Sequence, residues 1–249
     1  IRINTKAILL KEVFLMKFLL SVFLLLCLIF AGSNISSAAA QNSSLSVKQQ
    51  SIVPIASSMA TGDIANLKIA VNNGLDNGLT VNETKEVIVH LYAYCGFPRA
   101  LNGLTAVNEV LAERQAKGIE DVVGKEAAPI PAGTDMLQKG TDVQTQVSGR
   151  KVDLTALSPA IDEYLKTHLF GDLFARDVLT FQEREIATIS ALASMNGTES
   201  QFQSHLNCGL NVGLTGQQLQ SIVNTLEKVN PQIADKAQSI LDNVLAARK

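Results

Sequence analysis

The chain has 249 residues, of which 47% are hydrophobic and 18% charged, the balance of an ordinary globular protein with a core. Its formal net charge of −2 gives no basic field for gathering phosphates, which argues against a nucleic-acid partner and leaves small molecules or protein subunits. Aromatic residues are only 5% and Trp is absent, which suits an all-α protein better than a sandwich or barrel.

Residues 1–40 read as a targeting segment and are set apart from the fold. Met16 and Lys17 form a minimal positive start, Phe18 to Ala31 is apolar apart from Ser21, and Ala38, Ala39 and Ala40 offer a small-residue cleavage site. About 14 apolar residues fall short of the roughly 20 of a spanning helix, so a cleaved signal and an exported, periplasmic or secreted protein are expected, with Met16 as the true start. Lipoprotein anchoring through Cys27 is the lesser alternative.

Helix signals then recur along the chain. Ser46 with Gln49 and Thr80 with Glu83 have the capping-box spacing, in which a hydroxyl and the side chain three residues later each satisfy an orphan backbone N–H. Gly78 suits a left-handed helix stop, and Pro98 the first turn of a helix that begins after Gly96. These signals predict helices over 46–60, 63–77, 81–95 and 98–115. Residues 118–157 read as a linker: Pro129, Pro131, Gly133, Gly140 and Gly149 lie among polar residues, with room for one short helix. Ser158 and Pro159 open a further helix. Thr180 with Glu183, Thr198 with Gln201 and Thr215 with Gln218 repeat the capping spacing, and predict helices over 180–196, 199–212, 216–229 and 231–247.

The two halves are one pattern written twice. Ile52 and Ile55 match Ile186 and Ile189; after a one-residue insertion, Gly62, Gly74, Gly78 and Thr80 fall on Gly197, Gly209, Gly213 and Thr215. The expected organisation is a first repeat over 41–117 and a second over 158–249, each hiding the apolar face of its hairpins against the other. Phe170, Phe174 and Phe181 are left over for a subunit interface.

The segment HLYAYCGFPRALN, residues 90–102, after GLTVNETKEVIV, resembles the carboxymuconolactone decarboxylase family. So does the second-repeat stretch LTFQEREIATISALASMNG with HLNCGLNVGLT downstream. The resemblance implies an alkylhydroperoxidase D-like helical bundle, assembly into trimers or hexamers, and a small-molecule site among the helices. Family members include lactone decarboxylases and dithiol hydroperoxidases with a Glu, two-cysteine and His proton relay. On that pattern Glu83 and Cys95 hold the glutamate and first-cysteine positions, while Pro98 and Asn102 replace the second cysteine and the histidine. Gln218 and Asn230 stand at the places of Glu83 and Cys95 in the second copy.

These residues leave three functions open. In the first, Cys95 is the single reactive thiol of a peroxidase or peroxiredoxin-type oxidoreductase, activated by a helix N-terminus and Arg99 and reduced by an external thiol. Glu83, His90 and Tyr94 fall along one helical stripe with Val87 between, so His90 and Glu83 are its catalytic partners. The second function is cysteine-independent acid–base chemistry on a small carboxylate or lactone, with His90 or Glu83 moving protons and Arg99 binding the anion. The third is a non-catalytic binding oligomer. Tyr94, Arg99, Asn102 and His205 are the expected substrate-binding residues, His205 together with Asn207 and Asn211. Cys95 and Cys208 are expected as free thiols. His90, His168 and His205 lack the mutual spacing of a metal set, so neither a metal nor another cofactor is expected.

Overall fold

A computed structural model describes residues 44–248; the targeting segment, with Met16 and Cys27, lies outside them. The described residues form nine α-helices: α1 (Val47–Thr61), α2 (Ile64–Asp76), α3 (Val81–Ala116), α4 (Met136–Ser148), α5 (Pro159–Tyr164), α6 (Phe181–Ser194), α7 (Glu199–Asn211), α8 (Gly216–Val229) and α9 (Pro231–Ala246). Helix α5 runs on into ten residues of π-helix, Leu165–Phe174. There is no strand among the described residues, and no helix there is long and apolar enough to cross a membrane.

Local chemistry sets most boundaries. Ser46, Thr80, Thr180 and Thr215 each close the reciprocal capping box. Thr198 does not: its hydroxyl donates back to the carbonyls of Leu192 and Met195 at the end of α6, and α7 starts without a side-chain cap. Helix α7 still starts right after Thr198, but the hydroxyl serves the end of the preceding helix. Gly96, at φ 81 and ψ 158, breaks α3 into two arms in a backbone region that is essentially closed to other residues. The second arm folds back on the first, for a Cβ on Gly103 would stand 3.2 Å from Ile88.

Helices α1 and α6 form the centre of the bundle and pack on each other, with almost every residue from Ser51 to Ala60 and from Arg184 to Ala193 buried. Small side chains let them approach closely, and Ser194 donates to Ser57 across the seam at 2.8 Å. Around this pair the halves interlock: α3 packs on α6 of the other half, and α8 on α1. The order of helices after α1, with a break at Gly96, is the order after α6, with a break at Asn230.

The connection is an active part of the wall. Backbone N–H groups of Val81 and Asn82 donate to the carbonyls of Val122 and Val123, which lays the strap across the start of α3. Helix α4 then packs on the π-helical segment around a satellite core of Val147, Leu169, Phe170, Leu173 and Phe174. Phe170 and Phe174, expected at a subunit interface, are buried within the chain instead.

Candidate functional site

Two buried polar clusters lie where α3 meets the second half. The first begins at Glu86, one turn before His90, whose carboxylate accepts from Arg184 Nη2 at 2.7 Å and from Arg176 Nε at 2.9 Å and Nη2 at 3.0 Å. Arg184 is fully buried; it also donates to the Arg176 carbonyl at 2.8 Å, and its Nη1 faces His90 Nδ1 at 3.4 Å. Because a guanidinium only donates, His90 Nδ1 accepts and Nε2–H donates to Thr188 Oγ1 at 2.9 Å. Burial, and then the Arg184 charge, hold the His90 imidazole well below its ordinary pKa, so it is neutral. Phe174 closes the pocket, its ring T-shaped against that of His90 with the ring centres 4.8 Å apart.

This cluster meets solvent at a cleft of about 660 Å³ lined by Glu83, Val143, Phe174, Arg176, Phe181 and Glu183, among others. Most charges there are already matched. Glu83 takes Lys48 Nζ on one oxygen at 2.7 Å and the Thr80 N–H on the other at 2.9 Å; burial pulls its pKa up, but these bonds outweigh it and hold the carboxyl below the usual range. Lys125, also on the cleft, is paired with Asp177 at 3.1 Å. Two groups are left. Arg176 spends Nε and Nη2 on Glu86, and Glu183 Oε2 takes the Thr180 N–H and hydroxyl, so Arg176 Nη1 and Glu183 Oε1 have no hydrogen bond among the described residues.

The second cluster contains Glu185, His205, Cys208 and Tyr94. Glu185 is fully buried; its Oε2 meets His205 Nδ1 at 2.8 Å, while Oε1 has no partner. The Tyr94 ring stands edge-on to His205 at 5.5 Å and lies 5.7 Å from the His90 ring, which joins the clusters. Its hydroxyl is buried without a well-formed hydrogen bond, although Thr188 is close enough to favour the ionised form slightly. Burial, and then the Glu185 carboxylate, push the phenol well above its ordinary pKa.

The structure thus redistributes the residues expected to act together. Cys95 is a core residue, 7% exposed, and burial pushes its thiol up to about 11 against the weaker opposing pull of Arg99. No acid or imidazole bonds to it, and Glu83 lies twelve helical residues away, about 18 Å along the axis. The expected thiolate activation is absent because desolvation outweighs the field of an exposed guanidinium. Arg99 and Asn102 lie exposed beyond the Gly96 break and do not line the cleft. His205 is partnered by Glu185, not by Asn207 and Asn211, which hold Arg248 instead. Cys95 and Cys208 are free thiols, as expected.

Glu86, Thr188, Arg176, Arg184 and Glu185 escaped the sequence reading. Only Glu86 carried a local signal, its i, i+4 spacing to His90; Arg176, Arg184 and Thr188 lie 90 to 98 residues from their partners on α3, and Glu185 20 from His205.

A pH dependence follows from His90. An unfolded histidine takes up a proton below its ordinary pKa of 6.5, whereas buried His90 does not. The unfolded state then binds more protons, so stability is full above that pH and falls as pH drops below it. Urea midpoints from pH 7 to 5 should fall, costing up to about 2 kcal/mol, and His90→Gln should flatten the slope. Equal slopes in both proteins would contradict this.

Comparison with known proteins agrees with the fold. Residues 33–109 match the carboxymuconolactone decarboxylase family. The chain is also similar to Peroxisomal protein 2 of Saccharomyces cerevisiae, 26% identical over 162 residues, which cover 55% of this chain and 57% of that protein's length. The family match falls on the first half of the all-helical bundle, which is thereby similar to the carboxymuconolactone decarboxylase family.

Proposed function

We propose that this protein is an acid–base enzyme of the lyase type, acting without a cysteine on a small carboxylate or lactone held in the cleft between the start of α3 and the start of α6. One observation carries the reading: in a cleft where the other charges are matched, a guanidinium edge and a carboxylate oxygen are left facing solute.

Arg176 Nη1 receives the substrate's carboxylate or carbonyl oxygen, and Glu86 fixes the guanidinium from behind by two further bonds. In decarboxylation the carbon–carbon bond to the leaving carbon dioxide breaks and its electron pair passes to the neighbouring carbonyl as an enolate. The negative charge then grows on the oxygen beside Arg176. Glu183 passes a proton taken from solvent to the carbanionic carbon, and in the reverse sense takes one from it. Val143, Phe174, Val178, Leu179 and Phe181 line the cleft with apolar surface that strengthens both interactions. His90 is a positioning residue in this scheme, since both its nitrogens are committed behind Phe174. The one-cysteine peroxidase has less support, because the buried Cys95 thiol has no proton acceptor beside it.

The test is solvent deuterium incorporation and carbon dioxide release from a panel of small lactones and carboxylates. Glu183→Gln keeps the cap, as Gln49 and Gln218 do at their helices, yet removes the base; activity should fall on the order of a hundredfold or more. Arg176→Lys should raise KM, and Cys95→Ser should change little. Turnover that survives Glu183→Gln and vanishes in Cys95→Ser would overturn the proposal, and saturable anion binding without turnover would reduce it to a binding site.

A further inference from the structure

We infer that Glu185, His205 and Cys208 form a binding site for a divalent transition metal, with zinc the best match to their donor atoms. A carboxylate oxygen, an imidazole nitrogen and a sulfur from these residues lie within 4.8 Å of one another. In a tetrahedral zinc site the donors are about 3.3 to 3.8 Å apart, given bonds of about 2.0 to 2.3 Å. The set therefore has to close by about an ångström, and His205 and Cys208, one turn apart on the same face of α7, move as a unit.

Two further features point to a ligand. Glu185 is a fully buried carboxylate with no Lys or Arg bonded to it, and its Oε1 is without a partner. An oxygen desolvated and left unpaired is costly, and a bound cation satisfies it. The Tyr94 hydroxyl is also buried and unpartnered, and its ring stands edge-on to His205 at 5.5 Å.

Charge and donor type favour a divalent ion with some affinity for sulfur. The carboxylate and a thiolate together neutralise two positive charges, and a mixed N, O, S set is too soft for magnesium or calcium. Without metal, burial and then the Glu185 carboxylate push the Cys208 thiol up to about 12, while Ser148, Arg150 and Arg248 oppose them weakly. A cation between carboxylate and sulfur reverses the Glu185 effect, so binding releases the thiol proton, while His205 ligates as the neutral imidazole with its N–H on the other ring nitrogen. His205 and Cys208 are half-buried, which gives the ion a route in from the surface.

The site is separate from the cleft, and its test requires no turnover. Purified, metal-stripped protein is titrated with zinc by calorimetry and with cobalt by absorption. We expect one ion per chain, a thiolate-to-cobalt charge-transfer band in the near ultraviolet, and proton release at neutral pH. Cys208→Ser should abolish the charge-transfer band, and His205→Gln should weaken zinc binding on the order of a hundredfold. Cys95→Ser should leave both unchanged, and circular dichroism confirms that each variant is folded. Failure of the wild-type protein to bind one equivalent, or a cobalt spectrum that lacks the sulfur band or persists in Cys208→Ser, would overturn the inference.

Discussion

Replacing Glu86 with Gln should destabilise the protein by about 3 to 5 kcal/mol, the usual cost of stripping one partner from a buried ion pair. Arg184 is fully buried and Glu86 is its carboxylate partner, at 2.7 Å, so the amide leaves a desolvated guanidinium without a counter-charge. Burial already holds the Arg184 pKa below its ordinary value, and Glu86 opposes that shift. The loss also frees Arg176, which Glu86 holds through Nε and Nη2, so the cleft should lose its fixed cation at the same time. For a domain of this size the melting temperature should drop by roughly 6 to 20 °C. The informative control removes both charges: Glu86→Leu with Arg184→Met should recover much of the stability, because an apolar pair of similar volume carries no desolvation penalty. Its Arg176 remains loose, so activity should not return. A Glu86→Gln protein as stable as wild type would show that water or another group neutralises Arg184.

Gly140→Ala should be comparably damaging for a steric reason. A Cβ there would stand 1.6 Å from the Lys166 carbonyl oxygen and 3.1 Å from the Gly171 backbone nitrogen. Neither is the end of a flexible side chain, so one helix must move away from the other. Gly171 is equally tight from the opposite side, its own Cβ position 3.1 Å from the Met136 carbonyl oxygen. The two glycines thus let α4 and the π-helical segment meet backbone to backbone. Overpacking inside a core costs about 1 to 3 kcal/mol, and a collision with main chain belongs at or above the top of that range. Separating the two elements opens the satellite core and shifts Phe174, the ring that shields His90 from the cleft. Thermal melts should show the loss, and hydrogen exchange should place it in residues 136–174. Leu137→Ala, three residues earlier and half exposed, should change stability little. A Gly140→Ala protein with wild-type exchange across that stretch would contradict the reading.

Much of the helical plan was legible because its determinants are local. Capping boxes act over three residues, and the backbone at Gly96 admits essentially only glycine, so the ends of α1, α3, α6 and α8 can be read from short strings. The same logic failed at Thr198, where the capping spacing is present but the hydroxyl finds carbonyls of the preceding helix first. The π-helical segment was not legible either: its i→i+5 bonding depends on how it packs against α4, which the apolar pattern of Leu165–Phe174 does not encode.

The site divides along the same line. His90 was expected as a catalytic partner of Glu83 along one stripe of α3, whereas the acid of its buried cluster is Glu86. Cys95 looked activated because Arg99 follows it; the fold buries the sulfur and leaves the guanidinium at the surface. His205 was grouped with Asn207 and Asn211, whereas the fold sets it and Cys208, one turn apart on α7, beside Glu185 from α6. From the chain alone came the helices, their stops and the family resemblance, all fixed by contacts within a few residues. Folding alone decided which acid meets which base, because Glu86 reaches Arg176 and Arg184 only when segments some 90 residues apart pack together, and desolvation, which sets each group's charge, exists only once they do.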